Sequence, residues 1–256
     1  MPTPPSLIVL DLGRVLIRIC DGWPQACELA GVALPARAAD PATQAELHRL
    51  AMLHETGKLD TAAFCTRTAE LVGLTPAQVR AISDAWLRGP YPGTHTLLDD
   101  LARQPIPTAC LSNTNDNHWR LMTTPGVGAR GMGQRASRTT TSGAGAPGTG
   151  GTHSGGGGLP ASAQGVDNYL GLERLTYRFA SHLIGAAKPD PAIYAHVESI
   201  TGAAPSGILF FDDDPACIAG ARARGWTAIQ ITPASDPARQ VRTALARESR
   251  PLGLGY

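Results

Sequence analysis

The sequence predicts an α/β protein: a Rossmann-like, doubly wound parallel sheet with a helical cap inserted after the first strand and a disordered Gly-rich insertion. Three observations carry that prediction. Short apolar runs alternate with helical patterns, one long block reads as helical throughout, and the glycine excess is confined to one segment. Residues 123–165 hold 14 of the 29 glycines and contain no Asp, Glu or aromatic residue. Such a segment lacks the apolar surface to offset its ordering entropy, so it is expected to be a flexible insertion. Its three arginines, Arg130, Arg135 and Arg138, are too few for an arginine-glycine nucleic-acid tail.

The elements follow in chain order. Leu7–Leu10 is an apolar run that stops at Asp11, which suits a buried strand. Thr108–Leu111, Ile208–Phe211 and Thr227–Ile231 read the same way. Helical patterns lie at Thr94–Arg103, Asp116–Met122, Pro191–Ile200, Ala216–Arg224 and Pro237–Arg247. Strands alternating with helices imply a parallel sheet covered on both faces.

Between the first and second strands lie about ninety residues without a convincing strand. Pro41–Glu55 repeats apolar residues at Ala42, Ala45, Leu47, Leu50 and Leu53, and Thr61–Val72 carries Phe64, Leu71 and Val72 on a helical period. Thr75-Pro-Ala-Gln78 has the form of a capping box with Pro in the first turn. Pro90-Tyr-Pro-Gly93 then breaks the chain before it rejoins the sheet. The core is accordingly expected from residues 1–20 and 90–256, and the cap from 21–89.

Composition excludes several functions. The 256 residues carry a net charge of +1, and the 22 basic residues are 20 arginines and only two lysines, Lys58 and Lys188. No basic stripe is available for nucleic acid or for a membrane surface. No run approaches the ~18 apolar residues of a membrane span. The first apolar run is too short for a secretory signal. Five cysteines without a Cys-x-x-Cys pair read as buried free thiols in a reducing compartment. A cytoplasmic protein with no nucleic-acid or membrane partner is expected; the oligomeric state is not encoded in any readable pattern.

Four polar clusters are placed where open parallel sheets bind ligands, beyond strand ends. They are Asp11-Leu-Gly13, Ser112-Asn113, the Lys188-Pro pair, and Asp212-Asp213-Asp214. Singly, each reads as a cap, a turn or a solvated loop. In this order they supply a carboxylate able to attack phosphorus, a hydroxyl and amide for phosphoryl oxygens, a cation, and carboxylates for a hard metal.

With these motifs the chain resembles the haloacid dehalogenase-like hydrolase superfamily, over roughly residues 7–20, 91–121 and 177–232. Glu55-Thr-Gly57-Lys-Leu-Asp with Phe64 resembles the cap of a branch of small bacterial sugar-phosphate phosphatases that carry an Asp-x-Gly first motif. The resemblance implies hydrolysis of a small phosphorylated metabolite through an aspartyl-phosphate on Asp11. It implies Mg2+ held by Asp11, the carbonyl of Gly13, Asp212 and Asp213. Ser112, backbone amides near Asn113, and Lys188 would stabilise the phosphoryl oxygens.

Typical phosphatases of the superfamily place an acid–base Asp where this chain has Gly13. That group is worth roughly 10²–10⁴-fold, so activity biased to anomeric, acyl or aryl phosphates is expected. Two alternatives remain from the sequence: a 2-haloacid dehalogenase, or a weak or inactive phosphate-binding member.

Overall fold

The computed structural model describes residues 4–126 and 167–248. Five parallel strands form the main sheet: β1 (Leu7–Leu10), β4 (Thr108–Ser112), β5 (Tyr177–Ala180), β6 (Ile208–Asp212) and β7 (Thr227–Gln230). Their spatial order is β5-β4-β1-β6-β7, with every pair parallel. The sequence places four of these strands to within one residue. It misses β5, whose Tyr177-Arg178 half is only partly covered, so no continuous apolar run marks it.

Alternation along the buried strands distributes side chains between two cores. Ile8 and Leu10 of β1 join Cys110, Leu209 and Phe211 on one face. That face is covered by Leu97, Leu98 and Leu101 of α5 (Thr94–Ala102) and by Ala238 and Val241 of α10 (Pro237–Glu248). Leu7 and Val9 point to the other face, with Ala109, Leu111 and Phe210. Ile193, Tyr194 and Val197 of α8 (Pro191–Thr201) and Ile218 and Ala221 of α9 (Pro215–Ala223) cover it. The sheet is thus doubly wound, and its side-chain period of two explains why the central strands read as unbroken apolar runs.

The block between β1 and β4 is not wholly helical, contrary to the sequence reading. Residues Ile17–Ile19 (β2) and Leu87–Pro90 (β3) pair as an antiparallel ribbon. A three-residue strand, and a partner containing Gly89 and Pro90, carry too little β signal to be seen. Between them lie α1 (Trp23–Ala30), α2 (Pro41–Glu55), α3 (Thr61–Val72) and α4 (Pro76–Ala85). Helix α1 was also invisible in the sequence, because Gly22 at its N-cap makes no side-chain capping bond. The other three start on side-chain caps, Asp40, Asp60 and Thr75, the last in a complete capping box with Gln78. In α2, Leu47 and Leu50 are buried, whereas Ala42 and Ala45 of the predicted repeat face solvent.

Of the predicted insertion 123–165, Thr123 is the last residue of α6 (Asp116–Thr123), and 127–165 lie outside the described residues. None of the described helices is long and apolar enough to cross a membrane.

The aromatic centre of the second core offers a stability test. Phe210 is fully buried and packs edge-on to Tyr194 and Trp226, at centroid distances of 6.4 and 5.7 Å. Phe210→Ala is expected to lower unfolding free energy by about 3–5 kcal/mol in urea titrations. Ile200→Ala, at a position 54% exposed, should change it by less than about 0.5 kcal/mol.

Candidate active site

Register brings the predicted polar residues together. Leu10 lies opposite Phe211 in β6, so Asp11 emerges beside Asp212, and Leu10 lies opposite Cys110 in β4, so Ser112 follows just beyond. Asp11, Ser112 and Asp212 therefore cluster at the carboxyl ends of three adjacent strands. Helix α7 (Ser181–Ile184) turns the chain after β5 and leads to Lys188.

The Lys188 ammonium is buried between two of these carboxylates. Its Nζ donates to Asp11 Oδ1 at 2.7 Å and to Asp212 Oδ2 at 2.6 Å. Burial opposes its charge, but Asp11 and Asp212 outweigh burial and raise its pKa. Asn113 clamps the lysine's backbone: Lys188 N–H donates to Asn113 Oδ1 at 2.8 Å, and Asn113 Nδ2 donates to the Lys188 carbonyl at 2.8 Å. The structure therefore gives the Asn113 side chain a positioning contact, while its backbone lies on the cavity with Ser112.

One carboxylate oxygen from each of Asp11, Asp212 and Asp213 falls within a group spanning 4.8 Å. Burial and the neighbouring Asp212 push the Asp213 carboxyl up to about 6, with Arg14 and Lys188 opposing. Burial likewise raises Asp11, against the pull of Lys188. Lys188 pairs with Asp11 and Asp212, whereas Asp213 has Arg14 Nε at 4.0 Å, an arginine that also pairs with Asp21 at 3.1 Å. No backbone N–H among the described residues donates to the Gly13 carbonyl, so that oxygen is free to act as a ligand. Asp214 stands apart: its carboxylate caps α9 by accepting from Ala216 N–H at 2.8 Å.

A cavity of about 210 Å³ lies between the cap and the segments that follow β1 and β4; Asp11, Lys188, Asp212 and Asp213 are not among its lining residues. Gly13, Ser112 and Asn113 line it from the core, and Trp23, Glu55, Phe64, Ile82 and Trp86 line it from the cap. The histidines around it are already engaged. His118 Nε2 donates to the Ser83 carbonyl at 2.8 Å, and burial lowers its pKa to about 4. His54 Nε2 meets Asp116 at 3.0 Å, and its ring stacks on Phe64. His182 Nδ1 donates to the Thr114 carbonyl at 3.1 Å. Trp23 and His118 line the cavity; Arg18 donates to the Gly89 carbonyl, and Trp119 packs against the first core. Cys217 is a small buried side chain near Lys188. The residue that sequence reasoning left without a role is Glu55, which it saw only as part of a cap motif.

Comparison with known proteins agrees with this architecture. No family model matches the chain. A phosphatase of Mycobacterium tuberculosis is 36% identical over 74 residues, which are 29% of this chain and 32% of that protein, so the chain spans about a third of the curated relative it matches. A haloacid dehalogenase (HAD) family enzyme of Bacteroides thetaiotaomicron superposes with a TM-score of 0.67 at 19% identity, covering 94% of this chain and 100% of that one. The same enzyme in complex with magnesium and inorganic phosphate gives 0.63 at 20% identity, covering 91% and 96%. A 2-haloacid dehalogenase from Pseudomonas syringae gives 0.53 at 16% identity, covering 95% and 99%. Likeness at these identities fixes the fold and leaves the chemistry to the site.

The buried lysine carries a direct test. Lys188→Met leaves Asp11 and Asp212 facing each other without a cation. Denaturant titration at neutral pH should show a loss of about 3–5 kcal/mol. Asp213→Asn, which relieves crowding, should leave the metal-free protein as stable as the parent or more so.

Proposed function

We propose that this chain, which has the HAD-like fold, is a magnesium-dependent phosphatase acting on a small phosphorylated metabolite. The observation that carries the reading is the Lys188 ammonium held between Asp11 and Asp212, with Asp213 completing a three-carboxylate cluster. The carboxylate oxygens lie close enough to share one small hard cation, and their charge exceeds what Lys188 neutralises, so the residues fit Mg2+. Asp11, the Gly13 carbonyl, Asp212 and Asp213 would hold it. When bound, the ion supplies positive charge against the phosphate oxygens and against the carboxylates themselves.

Asp11 is the nucleophile of this reading. Its carboxylate attacks phosphorus, the bond to the leaving oxygen breaks, and an aspartyl-phosphate forms. Ser112 Oγ and backbone N–H groups beside Asn113, the Thr114 N–H being already given to Ser181, would donate to the phosphoryl oxygens. Lys188 contributes a compact point charge whose position is fixed by the Asn113 clamp. Water then attacks the same phosphorus and releases phosphate and the Asp11 carboxylate. The cap walls off the cavity, and the apolar side chains of Trp23, Phe64 and Trp86 receive the leaving group.

Dehalogenation at carbon uses an aspartate nucleophile without a polyanionic substrate to neutralise. The acidic cluster beyond β6 supports phosphoryl transfer over that alternative. Retention of Asp11, Ser112, Lys188 and both aspartates in one cluster supports an active enzyme over a decayed one.

The reading is tested with p-nitrophenyl phosphate. The purified protein is expected to release p-nitrophenol in millimolar magnesium and to fall to background in chelator. Asp11→Asn should be at least about 10³-fold slower, as expected for loss of a nucleophile. Undiminished turnover by Asp11→Asn removes the nucleophile assignment, and chloride release from a chlorinated acid in chelator would establish the dehalogenase. Magnesium at about 100 times its Kd should also add about 2.7 kcal/mol of stability, seen as a rise in Tm that Asp213→Asn abolishes.

A further inference from the structure

We propose that Glu55, at the C-terminus of α2 in the cap, is the general acid and base that the first motif lacks. The proposal rests on the phosphatase reading and assigns a catalytic role within the same site.

The first observation is the vacancy at Gly13. A Cβ placed there would lie 3.7 Å from Ile19 Cδ1 and 3.9 Å from Asp11 Oδ2, in ordinary contact range. The backbone therefore tolerates a side chain beside the nucleophile, yet none is present. Glu55 lines the same cavity as Gly13, Ser112 and Asn113. It is the carboxylate among the described lining residues, and it comes from the cap.

The second observation is how firmly its backbone is pinned to the core. Ser181 Oγ donates to the Glu55 carbonyl at 2.5 Å and accepts from Thr114 N–H at 2.9 Å. Thr114 lies two residues beyond Ser112, so one hydroxyl ties the Glu55 backbone to the segment that follows Ser112. Two residues further on, Gly57 has φ +69°, and a Cβ there would meet the His182 carbonyl oxygen at 2.3 Å. Only glycine allows the cap to approach α7 this closely.

The third observation is that the Glu55 side chain is uncommitted. His54 Nε2, His118 Nε2 and His182 Nδ1 are engaged by Asp116, the Ser83 carbonyl and the Thr114 carbonyl. The Glu55 carboxyl receives no hydrogen bond among the described residues, and burial pushes it up to about 7, with Lys188 opposing. The charged group that acts on it is Lys188 from the core. At neutral pH both its acid and its base forms are populated, as a group that gives and then takes a proton requires.

The proton balance closes over two steps. As Asp11 attacks and the phosphorus–oxygen bond of the ester breaks, Glu55 gives its proton to the departing oxygen, releasing an alcohol. Its carboxylate then takes a proton from the water that attacks the aspartyl-phosphate. Phosphate and the Asp11 carboxylate leave, and Glu55 is protonated again.

The test compares benzyl phosphate with p-nitrophenyl phosphate, two aromatic esters of similar size whose leaving groups differ in their need for a proton. Glu55→Gln is expected to lower kcat/KM for benzyl phosphate by about 10²–10⁴-fold and for p-nitrophenyl phosphate by less than about tenfold. The variant should also show a burst of p-nitrophenol, because hydrolysis of the aspartyl-phosphate has lost its base. Gly13→Asp added to Glu55→Gln should restore benzyl phosphate turnover at least about tenfold, by placing a carboxyl in the open space at Gly13. An equal loss on both esters, or none on either, overturns the role of Glu55 and leaves the phosphatase reading standing. Wild-type protein that cleaves neither ester overturns the phosphatase reading and this proposal with it.

Discussion

The structure is organised around one ammonium group held between two buried carboxylates. Lys188 lies 177 residues from Asp11 in sequence and 24 from Asp212, yet its Nζ contacts both. Burying that charge is costly unless every donor is matched. The matching fixes the spacing of β1 and β6 at their carboxyl ends, and the Asn113 clamp fixes the lysine against β4. A chain with 20 arginines uses one of its two lysines here. A planar guanidinium presents a fixed fork, whereas an ammonium acts as a compact point between converging groups. Three carboxylates remain only partly neutralised, and that residual charge is what the proposed hard cation would offset.

The seam between cap and core is polar, unlike the apolar interior of either part. Arg80 of α4 donates to Asn117 Oδ1 at 2.6 Å, and Asn117 donates to Asp84 at 2.7 Å. Thr61 and His54 meet Asp116, and Ser181 meets Glu55. Helix α6 and the segment around α7 thus receive the cap through hydrogen bonds. Such contacts fix orientation strongly while contributing modest net stability, because water can replace each partner. They also set the position of the cavity walls relative to Asp11, so substrate choice and chemistry share one scaffold.

Much of this was legible in the sequence because the chemistry lies at strand ends. Leu7–Leu10 and Ile208–Phe211 are fully buried strands, and the polar residues after each announce themselves by contrast. The capping box at Thr75 and the Pro starts of α2, α8 and α10 were equally visible, since those signals are local. What escaped notice depends on tertiary context. Strand β5 carries Arg178 at the edge of the sheet, and the β2–β3 ribbon is short and contains Gly89 and Pro90. Helix α1 begins on Gly22 without a capping side chain. Glu55 read only as part of a cap motif, because its surroundings arise from a contact with Ser181 across 126 residues. Its neighbour Gly57 carried the one sequence trace of that contact, a glycine whose necessity appears only when α7 is packed against it.

The central claim is that Asp11, activated within this charged cluster, becomes covalently phosphorylated. Tandem mass spectrometry of enzyme quenched in acid within milliseconds of mixing with substrate and magnesium tests it most directly. The account expects a phosphoryl group on the peptide containing Asp11, absent from Asp11→Asn. A phosphoryl group on another residue, or steady turnover with Asp11 unmodified throughout, would contradict it.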